Sequence, residues 1–98
     1  MAIFDIYQYG EGYVLNVQSD LVHGLNTVLM VPLLPLEKAP KPMGRLNPIF
    51  ELGGRRYSMV TQFMAATQLR GLGAPSGNLK LAHYDEIRSA LDMIFLGF

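Results

Sequence analysis

Residues 2–9 are dense in Ile, Phe and Tyr, side chains that suit a pleated surface. A Gly10-Glu11-Gly12 break separates them from a second run, residues 13–17. There Tyr13, Leu15 and Val17 fall on one face and Asn16 and Gln18 on the other, which predicts a β-hairpin with one half-solvated face. Residues 18–26 read as a turn, punctuated by Gly24 and Asn26. Residues 27–31 are unbroken Thr-Val-Leu-Met-Val, the pattern of a strand buried on both faces, with Pro32 expected to end it or to place it at an edge. Residues 33–48 hold four further prolines, at 35, 40, 42 and 48. That density excludes a helix and leaves an irregular excursion, with short strands around residues 33–36, or a flexible loop.

Two apolar runs, residues 48–52 and 55–61, flank Gly53-Gly54 and predict a second hairpin around a two-residue turn with positive φ. Residues 62–72 fit helix or strand, and Gly71, Gly73, Pro75, Ser76 and Gly77 mark turns. In the last segment Ile87, Leu91, Ile94, Phe95 and Phe98 form one helical stripe, expected to dock on the sheet. Asp85 and Glu86 suit its first turn, with Asp85 or His83 as the cap. The whole reads as a mainly β (α+β) domain over residues 1–98, an antiparallel sheet of about six strands with one C-terminal helix.

Composition narrows the function. Half of the residues are hydrophobic and only 16% are charged, against about 25% in an average soluble domain, so apolar surface is left for a partner or a second copy. Eight Lys and Arg balance eight Asp and Glu, which argues against direct nucleic-acid binding through a basic stripe. The absence of cysteine excludes disulfides, thiolate zinc sites and a thiol nucleophile. His23 and His83 lack ligand-like spacing, so neither metal nor cofactor is expected. The first residues lack signal-peptide features and no apolar stretch approaches the roughly 20 residues of a membrane helix. The expected location is cytoplasmic, away from membranes.

Nothing supports catalysis. No serine at 19, 58, 76 or 89 sits in a nucleophile elbow, Ser19-Asp20 reads as turn chemistry, and Gly71-x-Gly73 lacks the helix a phosphate loop needs. Arg55-Arg56 reads as a solvated hairpin tip. The chain is expected not to be an enzyme. Its unusual feature is residues 93–98, Met-Ile-Phe-Leu-Gly-Phe, where Leu96 lies opposite the helix stripe and Met93 well away from it. A turn apolar nearly all round needs cover on every side, from a partner, a second copy or the protein's own core.

The run Val17-Gln18-Ser19-Asp20 after a hairpin, the later Met30-Val31-Pro32-Leu33, the second hairpin, and a helix ending Phe95-Leu96-Gly97-Phe98 together resemble the CcdB family. These are the toxins of CcdA/CcdB-type toxin–antitoxin modules, first associated with plasmid maintenance. The resemblance implies a homodimer with an SH3-like barrel, a small β-wing holding residues 33–48, and a C-terminal helix. It implies a DNA gyrase inhibitor, a topoisomerase poison that binds the gyrase A subunit and traps the cleaved gyrase–DNA complex. A CcdA-like antitoxin would neutralise it through a disordered segment that folds on binding. The family's gyrase-contacting end is Phe-Trp-Gly-Ile. Phe95 and Gly97 match it, Phe98 keeps the apolar last position, and Leu96 replaces the tryptophan. Leu21 and Val22, in a turn implied to sit beside the helix end, and Asp92, where the family often has Asn, complete the gyrase-binding set. Tyr9, Gly10 and Tyr13 with Arg55 and Arg56 are the expected antitoxin-binding positions. A non-toxic or retargeted homologue is the alternative that Leu96 raises. An endoribonuclease like the structurally related MazF/Kid toxins is the least favoured, since it needs a basic groove.

Overall fold

A computed structural model describes all 98 residues, Met1–Phe98. Its strands are β1 (Asp5–Tyr9), β2 (Gly12–Asn16), β3 (Thr27–Pro35), β4 (Ile49–Leu52), β5 (Arg55–Met59), β6 (Ala65–Gln68) and β7 (Gly77–Asn78), followed by one helix, α1 (Lys80–Leu96). They form a single antiparallel sheet in the order β4-β5-β3-β2-β1-β7, with β6 also beside β3. The sheet curls into a half-barrel and α1 covers part of it, a mainly β, SH3-like architecture.

Both predicted hairpins are present. Tyr9 pairs with Gly12 around Gly10-Glu11, and Leu52 pairs with Arg55 around Gly53-Gly54, both at positive φ. Gly12 has a further duty that spacing alone does not reveal. A Cβ there would fall 2.0 Å from the Leu33 carbonyl oxygen, so β2 and β3 approach closely only because the side chain is missing.

The apolar run of β3 is buried on both faces, as predicted. Val31 and Leu33 join Leu15, Phe50, Met59 and Ile87 in the main core between sheet and helix, while Val28 and Met30 join Tyr7 and Val14 in a second cluster on the opposite face. That second cluster corrects the half-solvated first hairpin. Asn16 is also buried, its amide donating to the Ala2 carbonyl at 3.0 Å and its Oδ1 accepting from the Gln18 N–H at 2.9 Å. Burial, and then the Asp5 carboxylate beside it, pushes the Tyr7 phenol up.

Pro32 neither ends β3 nor marks an edge. The strand runs through it at the centre of the sheet, paired with Val14 of β2. On its other side β6 pairs with residues up to Met30 and β5 begins at Leu33. The Pro32 carbonyl accepts from the Val60 N–H at 3.0 Å, so the missing Pro32 N–H faces the seam between β5 and β6, where no ladder bond is lost. The proline-rich stretch holds two short 3-10 turns, Leu36–Lys38 and Gly44–Leu46, and the ambiguous segment becomes a 3-10 turn, Thr61–Phe63, followed by β6.

The helix departs most from expectation. It starts at Lys80, ahead of His83 and Asp85, and no side chain caps Leu79; Asn78 Oδ1 instead accepts from the Lys80 N–H at 2.8 Å. A break at His83 (φ −136) divides it, so Asp85 and Glu86 lie past the first turn counted from Lys80 but open the helical segment that follows the break. The predicted stripe docks only in its first half. Ile87 and Ala90 are buried and Leu91 packs against the core, whereas Ile94, Phe95 and Phe98 are exposed.

Candidate functional site

The end of α1 is an uncovered apolar surface. Phe95, Leu96 and Phe98 are 64%, 62% and 75% exposed, far from the usual fate of large apolar side chains. Gly97 stops the helix in the left-handed region (φ 78, ψ 11), its N–H shared between the Asp92 and Met93 carbonyls at 3.1 Å each. Open space surrounds its Cα, so conformation and not crowding is what calls for glycine there. Asp92 is half-buried one turn earlier, 3.8 Å from Arg88 across one helical turn.

The other half of the expected gyrase-binding set lies in the turn between β2 and β3. Leu21 is 89% exposed and Val22 about half. The residues before them build the display. Ser19 Oγ accepts from the Leu21 N–H at 3.2 Å and Asp20 Oδ1 accepts from the Ile3 N–H at 2.6 Å. Gln18 donates from Nε2 to the Val22 carbonyl at 2.9 Å and accepts from the Leu29 N–H at 3.2 Å. Val-Gln-Ser-Asp is thus a scaffold that pins the turn to β3 and to the first residues, pushing two aliphatic side chains into solvent. A small cavity of about 190 Å³ opens beside it, lined by Met1, Asp20, Val22, His23 and Leu69 among others. Within one chain no hydrogen bond or ion pair joins this turn to the end of α1, so the two share exposure and apolar character and no direct polar link.

A third surface forms where the β1–β2 turn, the Leu36–Lys38 turn and the β4–β5 hairpin meet. Tyr13 meets Tyr57 edge-on, ring centroids 5.3 Å apart, and the Arg55 guanidinium lies 5.9 Å from the Tyr57 centroid. Tyr9 and Gly10 are exposed beside it. Arg56 is not part of the cluster; it is exposed and registers opposite Glu51 on β4. Arg55 is more than a solvated tip. It is paired with Glu37 and lies 4.0 Å from Glu11, which also pairs with Lys38. The sequence reading missed Glu11, Glu37 and Lys38. Arg55 and Glu37 lie 18 positions apart, and the adjacent charges of Glu37-Lys38 amid prolines were the one available sign.

His83 stacks on Phe50 (centroids 4.4 Å) and its Nδ1 sits 3.0 Å from Glu86, a structural role at the helix break. No three His, Asp or Glu side chains converge as metal ligands would, and no helix is long and apolar enough to cross a membrane.

No curated protein is significantly similar to the chain. The family model of the CcdB protein matches residues 4–97, taking in the sheet, the display turn and the helix down to Gly97. A match over nearly the whole length, to the family whose ordered motifs this chain carries, leads to one conclusion: the chain belongs to the CcdB family of toxin–antitoxin toxins.

Proposed function

We propose that this protein poisons DNA gyrase by binding and not by catalysis. A homodimer presents Phe95, Leu96, Gly97 and Phe98, with Leu21, Val22 and Asp92, to the gyrase A subunit and holds the cleaved gyrase–DNA complex. An acidic, disordered antitoxin segment neutralises it at the surface around Tyr9, Gly10, Tyr13 and Arg55, with Arg56 at its margin. The cytoplasm, where gyrase works, is the compartment this reading requires. The observation that carries it is the exposed apolar end of α1 in a chain of this family. Large apolar side chains left in water by an otherwise packed domain are the material of a binding hot spot. Purified protein with gyrase, ATP and supercoiled plasmid should yield linear cleaved DNA. Intact plasmid throughout would refute the reading.

Leu96 favours a second reading, a retargeted homologue of the same fold. Leucine cannot offer the flat ring and N–H that tryptophan brings for stacking on a cationic side chain. If gyrase is the target, Leu96→Trp should raise cleavage potency, by roughly thirtyfold for a desolvated cation–π contact of about 2 kcal/mol. Activity that stays absent in both forms, with the fold intact, would point to another target.

A further inference from the structure

Five of the eight Lys and Arg residues, Lys38, Lys41, Arg45, Arg55 and Arg56, fall between positions 38 and 56. Zero net charge therefore conceals a basic stretch of the sequence. Two of these cations are already occupied. Arg55 Nη2 donates to Glu37 Oε1 at 2.5 Å, and Lys38 Nζ meets Glu11 Oε2 at 2.5 Å, with Arg55 4.0 Å from that same oxygen. The four residues come from three separate chain segments, yet every one of the side chains is 43–59% exposed. Ion pairs so open to water add little to stability. They are correspondingly easy to exchange for another carboxylate.

We infer that Arg55 and Lys38 form a receptor for the carboxylates of an acidic peptide segment, and that Glu37 and Glu11 fill it in the free protein as internal competitors which the partner displaces. The inference rests on the antitoxin reading only for the identity of that partner. The groups seated on the two cations are themselves carboxylates, stand-ins for Asp and Glu side chains. Both stay ionised at neutral pH: the hydrogen bond and charge of Lys38 hold Glu11 below the usual carboxylate range, and the hydrogen bond from Arg55 does the same for Glu37. Beside the cations, the half-buried Tyr13 ring, braced edge-on by the buried Tyr57, supplies one apolar contact for a side chain interspersed among the acids of a peptide. A nucleic-acid duplex fits less well, because Glu11, Glu37 and Glu51 interrupt what would have to be a continuous basic track. Displacement trades one carboxylate for another at each cation and leaves the charge balance unchanged. A tethered competitor acts at high effective concentration, so the apparent affinity for an external acid falls by the fraction of time the receptor is filled.

The test uses the full chain and a fluorescein-labelled hexaglutamate peptide, read by fluorescence anisotropy at low ionic strength with melting curves for every variant. Glu11→Gln/Glu37→Gln should bind the peptide roughly three- to tenfold more tightly than the unsubstituted chain. Lys38→Gln/Arg55→Gln should reduce binding to background. Asp85→Asn/Glu86→Gln, which changes net charge equally on α1, should leave binding as it was. Four results would overturn the inference. If the Glu11/Glu37 variant gains nothing while the Lys38/Arg55 variant loses binding, the glutamates are not competitors, and the antitoxin reading stands without them. If the α1 control gains as much, the effect is bulk charge. If a duplex oligonucleotide binds more tightly than hexaglutamate, the surface serves nucleic acid. Binding that survives loss of both cations removes the receptor and the antitoxin placement together.

Discussion

Where the β1–β2 turn, the Leu36–Lys38 turn and the β4–β5 hairpin meet, Glu11, Glu37, Lys38 and Arg55 stand in solvent and every one of them faces an opposite charge. At the end of α1, Phe95, Leu96 and Phe98 stand in solvent outside the packed core. The free chain therefore satisfies the charges of the first region and leaves the apolar surface of the second uncovered. Water tolerates the first arrangement with or without a partner. The second carries a standing hydrophobic cost that only a partner or a second copy removes. On the proposed function the two regions act differently: the charge cluster exchanges one set of contacts for another, while the helix end gains contacts the free chain lacks.

The sharpest way to break this comparison lies within α1 itself. Ile87→Ala should cost about 2–5 kcal/mol, because it opens a cavity in the main core. Phe95→Ala, eight residues on, should change the free chain's stability by about 0.5 kcal/mol or less. Denaturant melts would show equal losses if the helix end were core after all. Antitoxin binding comes next. A saturating antitoxin segment at 100 times its Kd should stabilise the folded state by about 2.7 kcal/mol, and a melting temperature unmoved by it would remove the neutralisation surface from the account.

Smaller effects sharpen the edges. Gly97→Ala should cost about 1–2 kcal/mol locally, since alanine must then adopt the left-handed conformation at φ 78. The expected signature is faster amide hydrogen exchange over the last turn of α1, with the core amides unchanged. The smallest effect is the pH dependence of the Glu11, Glu37, Lys38 and Arg55 cluster. Glu11 and Glu37 are held low by Lys38 and Arg55, so their pairing contributes above the usual carboxylate range and is lost as pH falls through their lowered folded-state values. Glu11→Gln/Glu37→Gln should therefore lose slightly less stability than the unsubstituted chain on acidification, in chemical melts at stepped pH. An identical acid response would mean that the Lys38–Glu11 and Arg55–Glu37 pairs are not formed in solution.

Much of the fold was legible because the sheet follows local rules. Gly53-Gly54 between apolar runs fixes one hairpin, Gly10-Glu11-Gly12 the other, and the double-sided burial of β3 follows from an uninterrupted Thr-Val-Leu-Met-Val. What escaped depended on contacts distant in sequence. Pro32 reads locally as the end of a strand or as an edge, because its tolerance in a central strand comes from a seam created by β5 and β6. Asn16 was read as half-solvated because its cover comes from Ala2 and from a second cluster that period-two alternation does not reveal. The helix stripe was right in phase and wrong in extent: period shows which side chains share a face and not where the sheet beneath them ends. In the candidate site, the apolar end of α1 stood out in sequence, whereas Leu21 and Val22 entered only through the family resemblance. The role of Gln18, Ser19 and Asp20 as their scaffold, and the clasp on Arg55, needed the fold.

The central claim is that the end of α1 is contact surface and not core, and that gyrase is what it contacts. Its most direct test pairs two readings on Phe95→Ala/Phe98→Ala, gyrase-dependent cleavage of supercoiled plasmid and the thermal melt of the same sample. Loss of a hot-spot aromatic costs about 2 kcal/mol or more in binding, so cleavage should fall by at least roughly thirtyfold while the melt stays within a few degrees of the unsubstituted protein. A variant that unfolds as it loses activity, or one that stays folded and traps gyrase at full potency, would contradict the account.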